Sequence, residues 1–359
     1  MVRIVCVAGA RPNFMKVKPV VDALEQGGAD VVLVHTGQHY DPSMSDAFFH
    51  DLGLRAPDHA LGVGSGTHAE QTAKVMVAFE DLLARLAADA VVVVGDVNST
   101  LACALVAAKG PELLAHVESG LRSRDRSMPE EINRVVVDHV SDLLLAPSPD
   151  AMVNLDAEGL GARAVLVGNV MADTLLANIE RARARGIIDE LGLERGRYGL
   201  VTLHRPANVD DDVTLGRIMK GLREVAGKLP LVLPAHPRAR RRIEAFGDMP
   251  GLDVVPALGY LDFVALEADA AVVLTDSGGV QEETTVLGVP CLTLRENTER
   301  PITVTEGTNR VVGTDPAAVV AAVADVLEDP PSGRGPRLWD GRASSRIAEA
   351  VFGALAARG

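Results

Sequence analysis

The chain has 359 residues, of which 47% are hydrophobic and 23% charged, so at roughly 150 residues per domain it holds about two domains, each with its own core. Its 35 Lys and Arg against 49 Asp and Glu leave a net charge of −14, which repels phosphate backbones and anionic lipid and argues against nucleic acid or membrane as a partner. A small anionic ligand would need a local cationic pocket built against that field.

Short β-branched runs punctuated by Gly or Asp alternate with longer segments rich in Ala, Leu, Glu and Arg, the pattern of βαβ units and a mainly parallel sheet. Strands are predicted at 2–8, 30–35, 90–95 and 114–117, then at 164–167, 198–203, 230–235, 270–275 and 290–294. Helices are predicted at 15–26, 68–87, 99–108, 130–140, 211–227, 279–287, 316–328 and 343–357. The apolar start, Met1 to Ala8, is too short for a signal segment and reads as a first buried strand. No apolar run approaches the ~18 residues of a spanning helix. Cys6, Cys103 and Cys291 are an odd number, far apart and set among apolar neighbours, which points to buried free thiols in a reducing, cytoplasmic setting.

The two halves echo each other. Val2–Ala8 followed by Gly9-Ala10-Arg11-Pro12-Asn13 is matched by Gly199–Leu203 followed by His204-Arg205-Pro206-Ala207-Asn208. Val31–Val34 leads into His35-Thr36-Gly37-Gln38-His39, as Leu231–Leu233 leads into Pro234-Ala235-His236-Pro237-Arg238. Val91–Val94 ends in Gly95-Asp96, and Ala271–Leu274 ends in Thr275-Asp276-Ser277-Gly278-Gly279. Polar residues thus gather just after strand C-termini, where open parallel sheets place their ligands. The expected architecture is α/β, with two Rossmann-like doubly wound domains facing an interdomain cleft. The first spans 1–170, completed by a C-terminal helix at 343–359, and the second spans 171–342.

Chemistry concentrates at these strand ends. Arg11 and Lys16 put cations at the first strand-to-helix turn, where a helix N-terminus already favours anions. Ser277, Gly278 and Gly279 offer a hydroxyl and close backbone approach to a phosphate, with a plain N-cap by Asp276 or Ser277 as the bland alternative. Glu283, a turn further on, is placed to accept from ribose hydroxyls. Arg300, stiffened by Pro301, joins His204, Arg205 and His236 as the basic set of the second half, while Arg295 is free to pair with Glu296 or Glu299. The first half supplies carboxylates. Glu130 and Glu131 open a helix after Pro129 and suit its first turn structurally, with Glu130 and Arg134 spaced as an i,i+4 pair. Asp96, directly after four valines, and Glu118, after another apolar run, are harder to account for structurally and are candidates for proton transfer.

Taken together, Gly9–Lys16, Thr36–His39, Gly95-Asp96, His116–Arg122, Pro129–Arg134, Thr202–Arg205, Thr275–Glu283, Thr298–Pro301 and Asp340–Ile347 resemble, in order, the motifs of the non-hydrolysing UDP-N-acetylglucosamine 2-epimerases. The resemblance implies a GT-B-like fold and reversible conversion of UDP-N-acetylglucosamine to UDP-N-acetylmannosamine through a glycal intermediate, with no nicotinamide or metal cofactor, in a homodimer. It implies catalytic roles for Asp96, Glu118, Glu130, His204 and Lys16. It further implies UDP binding by Arg11, His236, Ser277, Gly278, Gly279, Glu283 and Arg300. The first motif here carries Ala10 and Asn13 where the family more commonly has Thr and Glu; Val97 stands in place of a usual Thr, the stretch from Arg122 to Pro129 is short, and Pro206-Ala207 replaces Arg-Glu. Gln38, His39 and Arg205 fall where bacterial members build an activating second substrate site, and the last departure weakens that expectation. Alternatives are a hydrolysing 2-epimerase releasing N-acetylmannosamine and UDP, an epimerase of another UDP-2-acetamido sugar such as a 2,3-diacetamido uronic acid, a glycosyltransferase of the same fold, and a non-catalytic sugar-nucleotide binder.

Overall fold

Uninterrupted apolar runs build two parallel sheets in the computed structural model, which describes residues 1–9, 11–37, 53–331, 333 and 335–358. The chain divides into unit 1, Met1–Leu176 with Arg337–Gly359, and unit 2, Ala177–Pro336. Unit 1 contains β1 (Arg3–Ala8), β2 (Asp30–His35), β3 (His59–Ala60), β4 (Ala90–Val94), β5 (Leu113–Val117), β6 (Leu143–Ala146) and β7 (Ala164–Leu166). They pair in the order β3-β2-β1-β4-β5-β6-β7, each pairing parallel. All of β4 and β5 is buried. Strands without polar alternation belong inside a sheet covered on both faces, and the helices α1 (Arg11–Gln26), α2 (His68–Leu86), α3 (Asn98–Ala107), α4 (Pro129–Val140), α5 (Pro149–Ala157) and α6 (Val170–Arg183) supply the cover. Thr67 and Glu70 form a reciprocal capping box that starts α2, and Phe79 from its buried face packs with Val91, Val93, Leu114 and Val137.

Unit 2 repeats the plan. Its strands β8 (Gly199–Thr202), β9 (Leu231–Ala235), β10 (Leu252–Pro256), β11 (Val272–Thr275), β12 (Cys291–Thr293) and β13 (Asn309–Val311) pair in parallel as β10-β9-β8-β11-β12-β13. The helices α7 (Asp212–Ala226), α8 (Pro237–Glu244), α9 (Tyr260–Ala268), α10 (Gly278–Leu287) and α11 (Pro316–Glu328) surround them, and α12 (Ala343–Arg358) belongs to unit 1. The echo in the sequence therefore corresponds to equivalent strands: β1, β2 and β4 in one sheet, β8, β9 and β11 in the other. Each order reverses between two central neighbours, β1 and β4 or β8 and β11, and ligands bind outside the strand C-termini at such a switch point.

Strands β3, β6, β10 and β13 lie outside the predicted set, for physical reasons visible in each. β6 is Leu-Leu-Leu-Ala, without a β-branched residue. β3 and β13 are two and three residues long, and β10 ends in a proline that only an edge tolerates. Helix α8 was missed because it is arginine-rich, with only Ala239 and Ile243 buried. The three cysteines are buried and free, and burial pushes the Cys6 and Cys291 thiols up to about 12. Among the described residues no helix is long and apolar enough to cross a membrane.

Helix α12 is fastened to unit 1 from several directions. Asp173 accepts the Ala343 and Ser344 N–H groups at 3.0 and 2.7 Å, capping a helix some 170 residues away in the chain. The Trp339 Nε1–H donates to the Pro147 carbonyl at 3.0 Å, and Ile347 and Val351 are fully buried. A Cβ at Gly27 would lie 2.3 Å from the Phe352 ring. Ile347→Ala is expected to cost about 2–5 kcal/mol, read as a lowered urea midpoint; an unchanged midpoint would show that α12 does not contribute to the core of unit 1.

Candidate active site

In unit 1 the ends of β1, β4 and β5 converge. Asn13, in the first turn of α1, donates to the Val94 carbonyl at 2.9 Å, and a Cβ at Gly9 would sit 2.7 Å from that of Ser99. Glycine at position 9 therefore lets the β1–α1 turn close onto α3. After β4 the chain turns through Gly95 at φ +70°. The Asn13 amide, a Glu118 carboxylate oxygen and the Lys16 ammonium all lie within 3.3–3.6 Å of where a Gly95 Cβ would be. Glu118 itself adopts φ +70°, a left-handed conformation that costs a non-glycine residue about 1–2 kcal/mol. It is buried and forms a close ion pair with Lys16, so the lysine does not stand free as a simple anion site.

Asp96 is paired closely with Arg134 of α4, and its backbone carbonyl accepts from Asn133 at 2.9 Å. Arg134 reaches Glu131 at 2.7 Å with its other arm. The expected Glu130–Arg134 pair does not form, because Arg134 lies on the buried face with Glu131 and Asp96. Glu131 also accepts the N–H groups of Ser123 and Arg124 at 2.9 and 2.8 Å. Burial would raise its pKa, but these donors and Arg134 hold it below the usual carboxylate value. Glu130 is half-buried in the first turn of α4. Gln38 and His39 lie outside the described residues, as does the side chain of Arg11.

In unit 2 the ends of β8, β11 and β12 form a second cluster. Asp276 is not the N-cap that its position suggested. It turns toward β8 and accepts the N–H groups of His204 and Arg205 at 3.1 and 3.0 Å and the Asn208 amide at 3.2 Å. Its Oδ1 lies 2.8 Å from His204 Nδ1. Burial opposes ionisation of Asp276, yet His204 and these N–H groups outweigh it and hold the pKa low. The His204 ring is half exposed, and with Nδ1 fixed by the carboxylate, Nε2 is the nitrogen presented to a ligand. Ser277 is the N-cap of α10, and its hydroxyl is not used in capping, which leaves it and the first N–H groups available to an anion. His236 is exposed at the N-cap of α8.

Arg300 is buried and lies 2.8 Å from both Glu282 and Glu299. A Cβ at Gly278 would fall 2.4 Å from its guanidinium, so glycine there admits the arginine to the start of α10. Glu299 is also approached by Arg295 at 2.9 Å and Arg205 at 3.1 Å. Arg205, Arg295 and Arg300 thus gather around Glu282, Glu299 and the Asp276 backbone carbonyl. Burial opposes ionisation of Glu299, but the arginines hold its carboxyl far below its ordinary range. Glu283 is buried rather than surface-solvated and accepts from Tyr260 at 3.1 Å. Glu267 of α9 is fully buried too, and neither of its oxygens has a hydrogen-bond partner. Burial pushes both carboxyls well above their usual range.

Two doubly wound units with polar clusters at their switch points place the chain in the GT-B-like α/β class. A family model described as UDP-N-acetylglucosamine 2-epimerase matches residues 22–352. The UDP-N-acetylglucosamine 2-epimerase of Methanocaldococcus jannaschii is 41% identical over 354 residues, covering 95% of this chain and 96% of that protein. The UDP-2,3-diacetamido-2,3-dideoxy-D-glucuronate 2-epimerase of Pseudomonas aeruginosa is also 41% identical, covering 97% and 98%. The crystal structure of the M. jannaschii enzyme in complex with UDP-GlcNAc and UDP superposes with a TM-score of 0.90 at 39% identity, over 98% of this chain and 99% of that one. The chain belongs to the UDP-N-acetylglucosamine 2-epimerase family.

The buried Glu283 gives a signed expectation. A carboxyl whose pKa is higher folded than unfolded makes the fold less stable as pH rises above the unfolded value. Glu283→Gln removes that penalty, so its Tm relative to the parent chain is expected to climb between about pH 4.5 and about pH 8 and to level off above it; a Tm difference that stays constant between those values would refute it.

Proposed function

We propose that the chain catalyses reversible inversion at C2 of UDP-N-acetylglucosamine, giving UDP-N-acetylmannosamine, without net hydrolysis. The observation that carries this reading is the convergence of Asp96, Glu118 and Lys16 at the β1, β4 and β5 ends, because inversion at carbon needs one group to take a proton and another to return it. In the forward half a carboxylate removes the C2 proton, the C1–O bond breaks with its electron pair leaving on UDP, and a C1=C2 double bond forms. In the return half a diphosphate oxygen re-attacks C1 and a proton is delivered to the opposite face of C2. Asp96, Glu118 and Glu130 are assigned to these transfers, with Lys16 holding Glu118.

Negative charge grows on UDP as the C1–O bond breaks. His204 through Nε2, the α10 N-terminus with Ser277, Gly278 and Gly279, and Arg300 are assigned to its diphosphate, together with Arg11 and His236. Glu283 is assigned to the ribose. The non-hydrolysing course is supported by the ordered motifs from Gly9 to Ile347. A second reading, in which the sugar is a 2,3-diacetamido uronic acid on UDP, is favoured by the P. aeruginosa relative, whose identity equals that of the M. jannaschii enzyme.

Incubation with each UDP-sugar in D2O, followed by NMR, separates these outcomes. Deuterium at C2 together with UDP-N-acetylmannosamine is expected; free sugar with UDP would indicate hydrolysis, and exchange confined to the diacetamido uronate would reassign the sugar. Asp96→Asn is expected to lower the exchange rate about 10²–10⁴-fold with the fold intact, and near-normal exchange in a folded variant removes Asp96 from the mechanism.

A further inference from the structure

Helix α4 carries a third charged residue on the face that holds Glu131 and Arg134. Asp138 is fully buried, seven residues after Glu131. One of its oxygens lies 2.7 Å from His116 Nδ1 on β5. The other accepts the Gly120 N–H at 3.0 Å and lies 2.7 Å from Arg122, which is itself anchored to Glu158 at 2.7 Å. On its far side His116 Nε2 lies 2.9 Å from the Gly95 carbonyl. That carbonyl can only accept, so Nε2 donates. Burial opposes ionisation of Asp138, but His116 and Arg122 hold its pKa below the ordinary value, so the carboxylate accepts from Nδ1 as well.

The bonds run to two particular places. Gly95 immediately precedes Asp96, and Gly120 follows Glu118 by two residues; Gly95, Glu118 and Gly120 all have positive φ, at +70°, +70° and +83°. The two glycines adopt this conformation at no steric cost, whereas Glu118 holds it only where its surroundings fix the turn. One carboxylate and one imidazole therefore tie together the two turns on which the proposed proton-transfer groups stand.

We infer that Asp138, acting through His116, is a positioning residue that fixes the turns bearing Asp96 and Glu118, and so governs proton transfer at C2 without touching the nucleotide. The inference rests on the proposed roles of Asp96 and Glu118. Asp138 is met by His116 on β5 and by Arg122 and the Gly120 N–H after β5, and His116 in turn by Gly95 after β4. Neither Asp138 nor His116 is exposed, so neither reaches substrate.

The test is Asp138→Asn, which keeps the shape but replaces one acceptor oxygen with a donor that must face either the Gly120 N–H or the His116 ring. The expected result is a fall in kcat for C2 exchange of at least about tenfold, with KM and the UDP Kd within about twofold of the parent values and near-UV circular dichroism retained. A folded variant with unchanged kcat, or one that loses UDP affinity in parallel, overturns the inference. If the variant does not fold, the parent protein with labelled histidine decides. Two exchange-protected ring N–H signals from His116 support the brace, and a single protonated ring nitrogen overturns it. If the parent chain shows no C2 exchange, the proposed reaction fails, while the ring signals still decide whether the brace exists.

Discussion

A carboxylate at the mouth of an apolar parallel strand has to be met by a donor from another element, since leaving it unpaired there costs several kcal/mol. Asp96 is met by Arg134 from α4, Glu118 by Lys16 from α1, and Asp276 by His204 and the backbone beyond β8. Each match joins segments distant in sequence, so the bonds that make the charges tolerable also set the spacing of the strand ends. Helix α4 does the most of this in unit 1. Its buried face presents Glu131, Arg134 and Asp138, and the three reach the loop after β5, the end of β4 and the core of β5 respectively.

The same sheet plan supports opposite chemistry in the two units. At the switch point of unit 1 Asp96 and Glu131 share Arg134, and Glu118 meets Lys16. Around Arg300 in unit 2 three guanidiniums gather on Glu282, Glu299 and the Asp276 carbonyl, while two further acids, Glu267 and Glu283, are pushed toward their neutral forms by burial. A chain with a net charge of −14 thus gathers three guanidiniums at the start of α10. Gly278 makes this possible sterically, because any side chain there would displace the guanidinium.

Most of the architecture was legible in the sequence, since β-branched strands buried on both faces read as continuous runs, and the central strands of each sheet are of this kind. Strands β3, β6, β10 and β13, at or next to the edges, were not, being short, without a β-branched residue or ending in proline, although the edge strand β7 was. At the site, positions could be read but pairings could not. Asp96 and Glu118 stood out because they end apolar strands, whereas Arg134 looked like the i,i+4 partner of Glu130 until the helix face it occupies was known. Asp276 looked like a cap because it precedes a helix; only the sheet order, with β8 beside β11, brings His204 to it. The pairing of Asp138 with His116 carried no signal, because a buried polar pair 22 residues apart has no local pattern.

The placement of α12 also bears on synthesis. Unit 2 is one continuous stretch, Ala177–Pro336, whereas unit 1 needs Arg337 onward to cover its helix layer. During translation all seven strands of unit 1 emerge well before the helix that caps their packing, and all of unit 2 is made in between. Unit 2 can therefore close as a continuous module, while α1 of unit 1 waits for its contact with α12. The half that carries the carboxylates is thus the half whose apolar surface stays uncovered longest during synthesis.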